Sequence, residues 1–364
     1  MEGKKTPLFD THVKYGGKIV EFGGWLLPVQ YSGIIEEHKA VRTKAGLFDV
    51  SHMGEIWAEG KGAFAFLQNL VTNDLDGMQA GQIRYSPMCY KDGGTVDDLL
   101  VYKYDEELYL IVVNAANIEK DWNWMQENVA GFEVILTNQS DETAQLALQG
   151  PAAVAVLSKL TDAPVSDIQY YHFLPEVMVA GKKTMVSRTG YTGEDGYEIY
   201  CAPQDAAELW EAIMAAGKEE GILPTGLGCR DTLRFESCLP LYGHELSAEI
   251  SPLMAGLGRF VKLDKEAFNG LEALKAQKAA GLPQKVMGVE VTGRGIARAG
   301  YPVKADGKVI GSVTTGSPAP TLGKNMALAL IDAAYAEIGR EIAVEVRGKE
   351  ISAVIVAKPF YKRG

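Results

Sequence analysis

At 364 residues, 47% of them hydrophobic and 23% charged, the chain is long enough for roughly two or three domains with cores of their own. Its net charge of −11, from 36 basic and 47 acidic residues, excludes a global basic surface for a nucleic-acid backbone. No run reaches the ~18 consecutive apolar residues of a membrane span, and the N-terminus lacks the apolar stretch of a secretory signal, so a cytoplasmic protein without a membrane partner is expected.

In chain order, Leu99 to Tyr104 and Leu108 to Val113 are short β-rich runs on either side of Asp105-Glu106-Glu107, which predicts a hairpin. An amphipathic helix is predicted next, capped by Asn114 or Asn117, with Ile118, Trp122, Met125 and Val129 at helical spacing as far as Ala130. Ala144 to Leu148 reads as a strand that Gln149-Gly150-Pro151 turns into a helix from Ala152 to Leu160. Strands from Thr184 to Arg188 and Tyr197 to Cys201 enclose the Gly-rich turn Thr189 to Gly196, and Asp205 to Ala216 reads as a helix with an acidic first turn.

The Ala-, Lys- and Glu-rich segment Lys265 to Leu282 reads as a helical connector, which places a boundary near residue 280. Beyond it, Val286 to Val291, Val309 to Thr314, Met326 to Ile331, Glu341 to Val346 and Ile351 to Val356 predict a small barrel or sandwich. The whole is an α+β pattern without a fixed-period repeat.

Generic signatures of chemistry are missing. Gly226-Leu227-Gly228 and Gly293-Arg294-Gly295 lack the spacing of a dinucleotide fingerprint, and Gly323-Lys324-Asn325 is not the Gly-Lys-Ser/Thr of a phosphate loop. Neither a flavin nor a nucleoside triphosphate is therefore implied. Cys89, Cys201, Cys229 and Cys238 stand without zinc-ligand spacing, so buried free thiols and no metal are expected. No Gly-x-Ser-x-Gly elbow is present.

A series of longer motifs is more specific. Thr6-Pro7-Leu8, Phe22-Gly23-Gly24-Trp25, Leu27-Pro28-Val29-Gln30-Tyr31 and Asp49-Val50-Ser51-His52-Met53-Gly54 are followed by Gly93-Gly94-Thr95-Val96-Asp97-Asp98-Leu99 and Leu148-Gln149-Gly150-Pro151. Arg188-Thr189-Gly190-Tyr191-Thr192-Gly193-Glu194-Asp195-Gly196-Tyr197-Glu198, Arg230-Asp231-Thr232-Leu233-Arg234 and Lys358-Pro359-Phe360-Tyr361 complete the series. In this order and over almost the whole chain, the sequence resembles the glycine cleavage T-protein family.

The resemblance implies a three-domain, ring-like folate-binding aminomethyltransferase fold with a C-terminal β-barrel-like domain. It divides the chain into residues 1–48 with 138–280, 49–137, and 281–364. It also implies transfer of the one-carbon unit of a lipoyl-bound aminomethyl group to tetrahydrofolate, giving 5,10-methylenetetrahydrofolate and ammonia, with the lipoylated H-protein as partner. Related families use this scaffold differently. The Lys-Gly-Cys-Tyr/Phe-x-Gly-Gln-Glu motif of the folate-binding iron–sulfur maintenance proteins is replaced here by Gly228-Cys229-Arg230-Asp231-Thr232-Leu233-Arg234, and the flavin domain of sarcosine dehydrogenases is absent. A folate-dependent demethylase of a sulfur compound and a noncatalytic folate-binding adaptor are the alternatives.

Residue by residue, the resemblance places Asp98, rather than Asp97, at folate N10 as the catalytic carboxylate, at the turn entering the hairpin strand. It places Glu198 at the pterin edge, where a carboxylate accepts paired hydrogen bonds from the ring N–H and amino group. Arg230 and Tyr361 match folate-binding positions, and Met53, Tyr85 and Asn114 line the same channel. His52 is read as structural and stays outside this set.

Overall fold

The computed structural model describes residues 2–364, and these divide into two compact units. The first comprises residues up to Leu67, Leu75–Tyr85 and Leu99–Leu233; the second comprises Gln68–Asp74, Ser86–Asp98 and Arg234–Gly364.

The first unit is built around a six-stranded sheet ordered Phe173–Val179, Lys182–Ser187, Gly196–Cys201, Ala144–Gln149, Gly46–Asp49 and Leu223–Pro224. Because side chains alternate along a strand, its central strands are amphifacial although wholly buried. Leu146, Leu148, Tyr197 and Ile199 join one apolar cluster with Ala153, Val156 and Leu157 of the short helix Ala153–Leu157 and with Leu209, Trp210 and Ile213 of the helix Ala206–Ala216. The opposite face carries Gln145, Glu198 and Tyr200.

A second sheet is ordered Ile83–Cys89, Thr95–Lys103, Leu108–Val113, Gly54–Glu59 and Ile135–Asn138. Its Ile83, Tyr102, Leu110 and Val112 form one cluster with Phe173, Met185 and Tyr200 of the six-stranded sheet, with Met53 and Trp57 packed against it. Within this unit, therefore, the face bearing Glu198 looks onto the second sheet.

The expected hairpin is present, with Leu100 opposite Val112 and Lys103 opposite Tyr109, but its first strand begins at Thr95. Asp97 and Asp98 consequently lie inside a strand and not in the turn before it. The helix after the hairpin runs Ile118–Asn128, preceded by a 3-10 turn at Ala115–Asn117, and neither Asn114 nor Asn117 makes a side-chain capping hydrogen bond. The helix after Gln149 covers only Ala153–Leu157 before it loosens into turns.

In the second unit, the strands Gln284–Val291, Lys324–Asp332, Lys308–Ala319, Pro302–Ala305, Glu341–Val346 and Lys349–Val356 close in that order into a barrel. Five of the six were read from β-rich runs. Pro302–Ala305 was not, because it is short and begins with a residue that has no amide to donate. Val289, Val303, Ile310, Ala327, Val344 and Ile355 fill the barrel interior. The connector contains the helix Leu271–Ala280. All four thiols are free; Cys89, Cys201 and Cys229 are buried and Cys238 is half-buried. Among the described residues no helix is long and apolar enough to cross a membrane, and no cluster of His, Cys, Asp and Glu is arranged to hold a metal ion.

A buried polar chain anchors the N-terminal segment of the first unit. The Asp49 carboxylate accepts from Thr6 Oγ1 at 2.6 Å, meets His12 Nε2 at 2.8 Å and accepts from the Ser51 amide at 2.9 Å, while Tyr31 Oη lies 2.8 Å from His12 Nδ1. Burial alone would raise the Asp49 carboxyl, but the His12, Ser51 and Thr6 contacts outweigh it and hold it below the ordinary carboxylate range. A depressed folded-state value stabilises the protein above the unfolded carboxyl's ~3.9, and the contribution is lost as pH falls through the folded value. Asp49→Asn is expected to lower the melting temperature at neutral pH and to flatten the acid limb of a melting-temperature profile; a limb as steep as the parent's would place the acid sensitivity elsewhere.

Candidate active site

Glu198 sits on the strand Gly196–Cys201, 7% exposed, and its Oε2 accepts a hydrogen bond from Thr189 Oγ1 at 2.5 Å. Ser187 and Thr189 hydroxyls lie 2.7 Å apart, Ser187 and Tyr102 hydroxyls 3.4 Å, and those of Tyr102 and Tyr200 2.8 Å. Gln145 Nε2 donates to Tyr200 Oη at 3.0 Å. The result is a continuous polar chain inside a space otherwise lined by apolar and aromatic side chains. Burial pushes the Glu198 carboxyl above its ordinary range, and the Thr189 hydrogen bond, the Arg230 charge and Gln145 offset part of that push.

Arg230 comes from the helix Leu227–Glu236, whose Cys229 and Leu233 pack with Val41, Phe48, Val50 and Ala147. That packing fixes the helix face and leaves the half-buried guanidinium stacked over the Tyr191 ring, 4.8 Å from its centroid. Burial lowers its affinity for the proton, while Tyr191 and Glu198 favour the charged form. An arginine keeps its charge under such conditions, so Arg230 is the local cation. His52, 4% exposed, is held neutral: burial first, then Arg230, brings it down to about 4.

The loop that carries Thr189 to Glu198 is pinned from below. Gln149 Nε2 donates to the Thr189 carbonyl at 3.0 Å, Thr192 Oγ1 donates to Gln149 Oε1 at 2.9 Å, and Arg188 grips Asp195 through Nε and Nη2 at 2.9 and 2.5 Å. Gly190 and Gly196 make this possible, since a Cβ would lie 1.9 Å from Gln149 Oε1 at the first and 2.5 Å from Gln149 Nε2 at the second. Gly190→Ala is thus expected to dislodge Gln149, free Thr189 and weaken the hold on Glu198, costing about 1–3 kcal/mol of stability. A melting temperature equal to the parent's would show that the loop has room to spare.

Met53 packs against both the inter-sheet cluster and the cluster beneath Arg230. Tyr85, half-buried, stands two residues from Ile83 on the strand Ile83–Cys89 and so shares its inter-sheet face. Asn114, also half-buried, ends the row Leu110, Val112, Asn114. Five of the sequence-derived residues, Met53, Tyr85, Asn114, Glu198 and Arg230, therefore belong to the first unit, and Glu198 and Arg230 interact electrostatically. Asp98 and Tyr361 belong to the second. Asp97 is fully buried and Asp98 half-buried on the other face of their strand, and the Tyr361 amide donates to the Glu236 carbonyl at 2.8 Å.

Sequence reasoning did not single out Glu55, Tyr102, Gln145 or Tyr200. Each comes from a different strand, so their convergence leaves no local spacing to read.

A mixed α/β unit with a buried carboxylate beside a guanidinium, in a chain that ends in a closed six-stranded barrel, is the class of protein these features define. Residues 8–265 match the GCVT N-terminal domain, and residues 284–362 match the glycine cleavage T-protein C-terminal barrel domain. The chain belongs to the glycine cleavage T-protein family. It is 56% identical over 363 residues to an aminomethyltransferase of Halalkalibacterium halodurans, covering 100% of this chain and 99% of the relative. An aminomethyltransferase of Geobacillus kaustophilus is 58% identical over 361 residues, with 99% of each covered. The crystal structure of the glycine cleavage system aminomethyltransferase T from Bartonella henselae is similar with a TM-score of 0.92 at 32% identity, covering 99% of this chain and 98% of that one. These likenesses bear out the family, the fold class and the aminomethyltransferase activity expected from the sequence.

Proposed function

We propose that this aminomethyltransferase takes the aminomethyl group from the dihydrolipoyl sulfur of a lipoylated H-protein and passes its carbon to tetrahydrofolate in the cytoplasm. Full-length likeness to aminomethyltransferases at 56% identity and above is the observation that carries the reading. In the reaction the C–S bond breaks as nitrogen gains iminium character, the lipoyl sulfur leaves as thiolate, and folate N5 attacks the carbon. Ammonia departs, N10 closes the ring, and 5,10-methylenetetrahydrofolate forms. The protein's part is to align two large substrates and to manage charge. No step calls for a metal or a flavin.

Within this reading Glu198 accepts from the pterin N–H and amino groups, Arg230 serves an anionic or carbonyl part of folate, and Met53, Tyr85 and Asn114 line the binding surface. Asp98 faces N10 and Tyr361 is a further folate contact. The three-part division into residues 1–48 with 138–280, 49–137, and 281–364 belongs to the same proposal. The buried setting of Glu198 supports its role, because a carboxylate with one oxygen held by Thr189 and a guanidinium nearby is preorganised to accept.

Reconstitution tests the function. Purified protein with tetrahydrofolate and the aminomethyl-loaded carrier should release ammonia above the uncatalysed rate. No release together with demethylation of a sulfur compound would overturn the reading, and folate binding without any transfer would point to an adaptor. Glu198→Gln should keep the fold and weaken folate binding, since a charge-assisted hydrogen bond is worth about 1.5–3 kcal/mol. Affinity within about a factor of two of the parent would remove Glu198 from the site.

A further inference from the structure

Two carboxylates, not one, enter the space between the sheets of the first unit. Glu55 lies on the strand Gly54–Glu59, two residues from Trp57 and opposite Val112, both of which pack in the inter-sheet cluster, so its side chain projects toward the same interior as Glu198 and Tyr200. It is 1% exposed, and among the described residues neither of its carboxyl oxygens has a hydrogen-bond partner.

The two acids differ in what would stabilise their charge. Glu198 has the Thr189 hydroxyl, Gln145 and the Arg230 guanidinium, whereas Glu55 has no donor at all. Of the described groups around them, His52, which senses Arg230, is held neutral, and the Tyr102, Tyr104 and Tyr200 hydroxyls are kept protonated by burial. Arg230 interacts with Glu198, whereas the charge that Glu55 senses is that of Glu198. An isolated buried carboxylate without a donor takes up a proton rather than bear the desolvation cost.

We propose that Glu55 is a positioning residue for the folate-binding carboxylate: it keeps a proton at neutral pH and thereby leaves Glu198 as the single negative charge beside Arg230. The inference rests on the reading of Glu198 as a pterin contact. Burial, followed by the charge of Glu198, raises the Glu55 carboxyl well above the ordinary range, in keeping with the absence of donors. Pterin donors that pair with Glu198 favour its ionised form, so folate binding and the proton on Glu55 reinforce each other. At alkaline pH Glu55 loses that proton, its new charge repels that of Glu198, and Glu198 is driven from the geometry that Thr189 imposes.

The test uses the full-length protein, Glu55→Gln and Glu198→Gln, with tetrahydrofolate affinity titrated from neutral into the alkaline range and infrared difference spectra recorded alongside. Glu55→Gln, an isosteric mimic of the protonated acid, should bind within about twofold of the parent at neutral pH yet lose the parent's alkaline fall in affinity, expected to be about threefold or more. The parent should also show a protonated-carboxyl band at neutral pH that fades as the affinity falls. That band should be missing in Glu55→Gln and present in Glu198→Gln. Its absence from the parent, or alkaline profiles that coincide for parent and Glu55→Gln, would overturn the inference. Unaltered folate affinity in Glu198→Gln would instead overturn the pterin reading, a failure that the band distinguishes because it needs no folate.

Discussion

Asp98→Asn is expected to lower the turnover of ammonia release by about 10²-fold or more while leaving the fold intact, because it removes a negative charge without changing size or shape. The strand Thr95–Lys103 decides which of two adjacent acids to test. Asp97, Leu99 and Val101 alternate with Asp98, Leu100 and Tyr102, and the first row is buried to 2% exposure or less. Asp97 is fully buried, so its substitution acts chiefly on stability; Asp98 is half-buried on the other face of the strand. If Asp98 stabilises cationic character as N5 attacks, the loss in Asp98→Asn falls on turnover more than on folate affinity. Asp97→Asn should instead lower the melting temperature, with turnover per folded molecule close to the parent's. Ammonia release, folate titration and thermal melting on both variants separate the two outcomes. Normal turnover in Asp98→Asn would take this carboxylate out of the mechanism, and a larger turnover loss at Asp97 would reverse the assignment.

Much of the fold was legible because it is written in local pattern. Short β-rich runs marked the hairpin Leu99 to Val113 and five barrel strands, and a Gly-Pro turn after Ala144 to Leu148 marked the passage from strand to helix. Local pattern failed where the deciding contacts are distant. Asp97 and Asp98 read as turn residues because two acids in succession suit a turn, yet pairing with neighbouring strands carries β structure back to Thr95. Asn114 has the composition of a cap, but the chain enters a 3-10 turn there and the side chain does not bond to the helix start.

The site was less legible than the fold. Thr189 and Glu198 are only nine residues apart and belong to one Gly-rich segment, so a motif could point to them. Glu55 follows the motif Ser51 to Gly54 without any feature that sets it apart from a solvent-facing strand glutamate. Only the facing of two sheets shows that it is buried against a second acid. Resemblance supplied the residues proposed to contact folate; it did not reveal Glu55.

In the second unit, Glu245→Ala is expected to destabilise the fold by about 3–5 kcal/mol, the cost of stranding a buried charge. Arg234 and Glu245 are 1% and 2% exposed, and Arg234 Nη1 donates to Glu245 Oε2 at 2.9 Å. The same oxygen accepts from the Leu241 amide at 3.1 Å, while Glu245 Oε1 accepts from Thr314 Oγ1 and Thr315 Oγ1, each at 2.6 Å. Two consecutive strand residues ordinarily point to opposite faces and could not reach one oxygen. They do so here because the pairing of Lys308–Ala319 with Lys324–Asp332 shifts register between Val313 and Thr315, a bulge that turns both threonines toward the carboxylate. Thr315 Oγ1 in turn accepts from Arg234 Nη2 at 3.1 Å, which closes the network. Truncating Glu245 leaves Arg234 and two hydroxyls without their shared acceptor, whereas Thr314→Val removes one donor and should cost about 1 kcal/mol. Arg234→Met combined with Glu245→Leu removes both charges and should recover much of the loss, since the interior then carries no unpaired ion. Denaturant midpoints for the three variants give the comparison. A Glu245→Ala loss no greater than that of Thr314→Val would mean that Arg234 finds other partners, and that the pair does not hold the segment Leu239–Leu246 to the barrel.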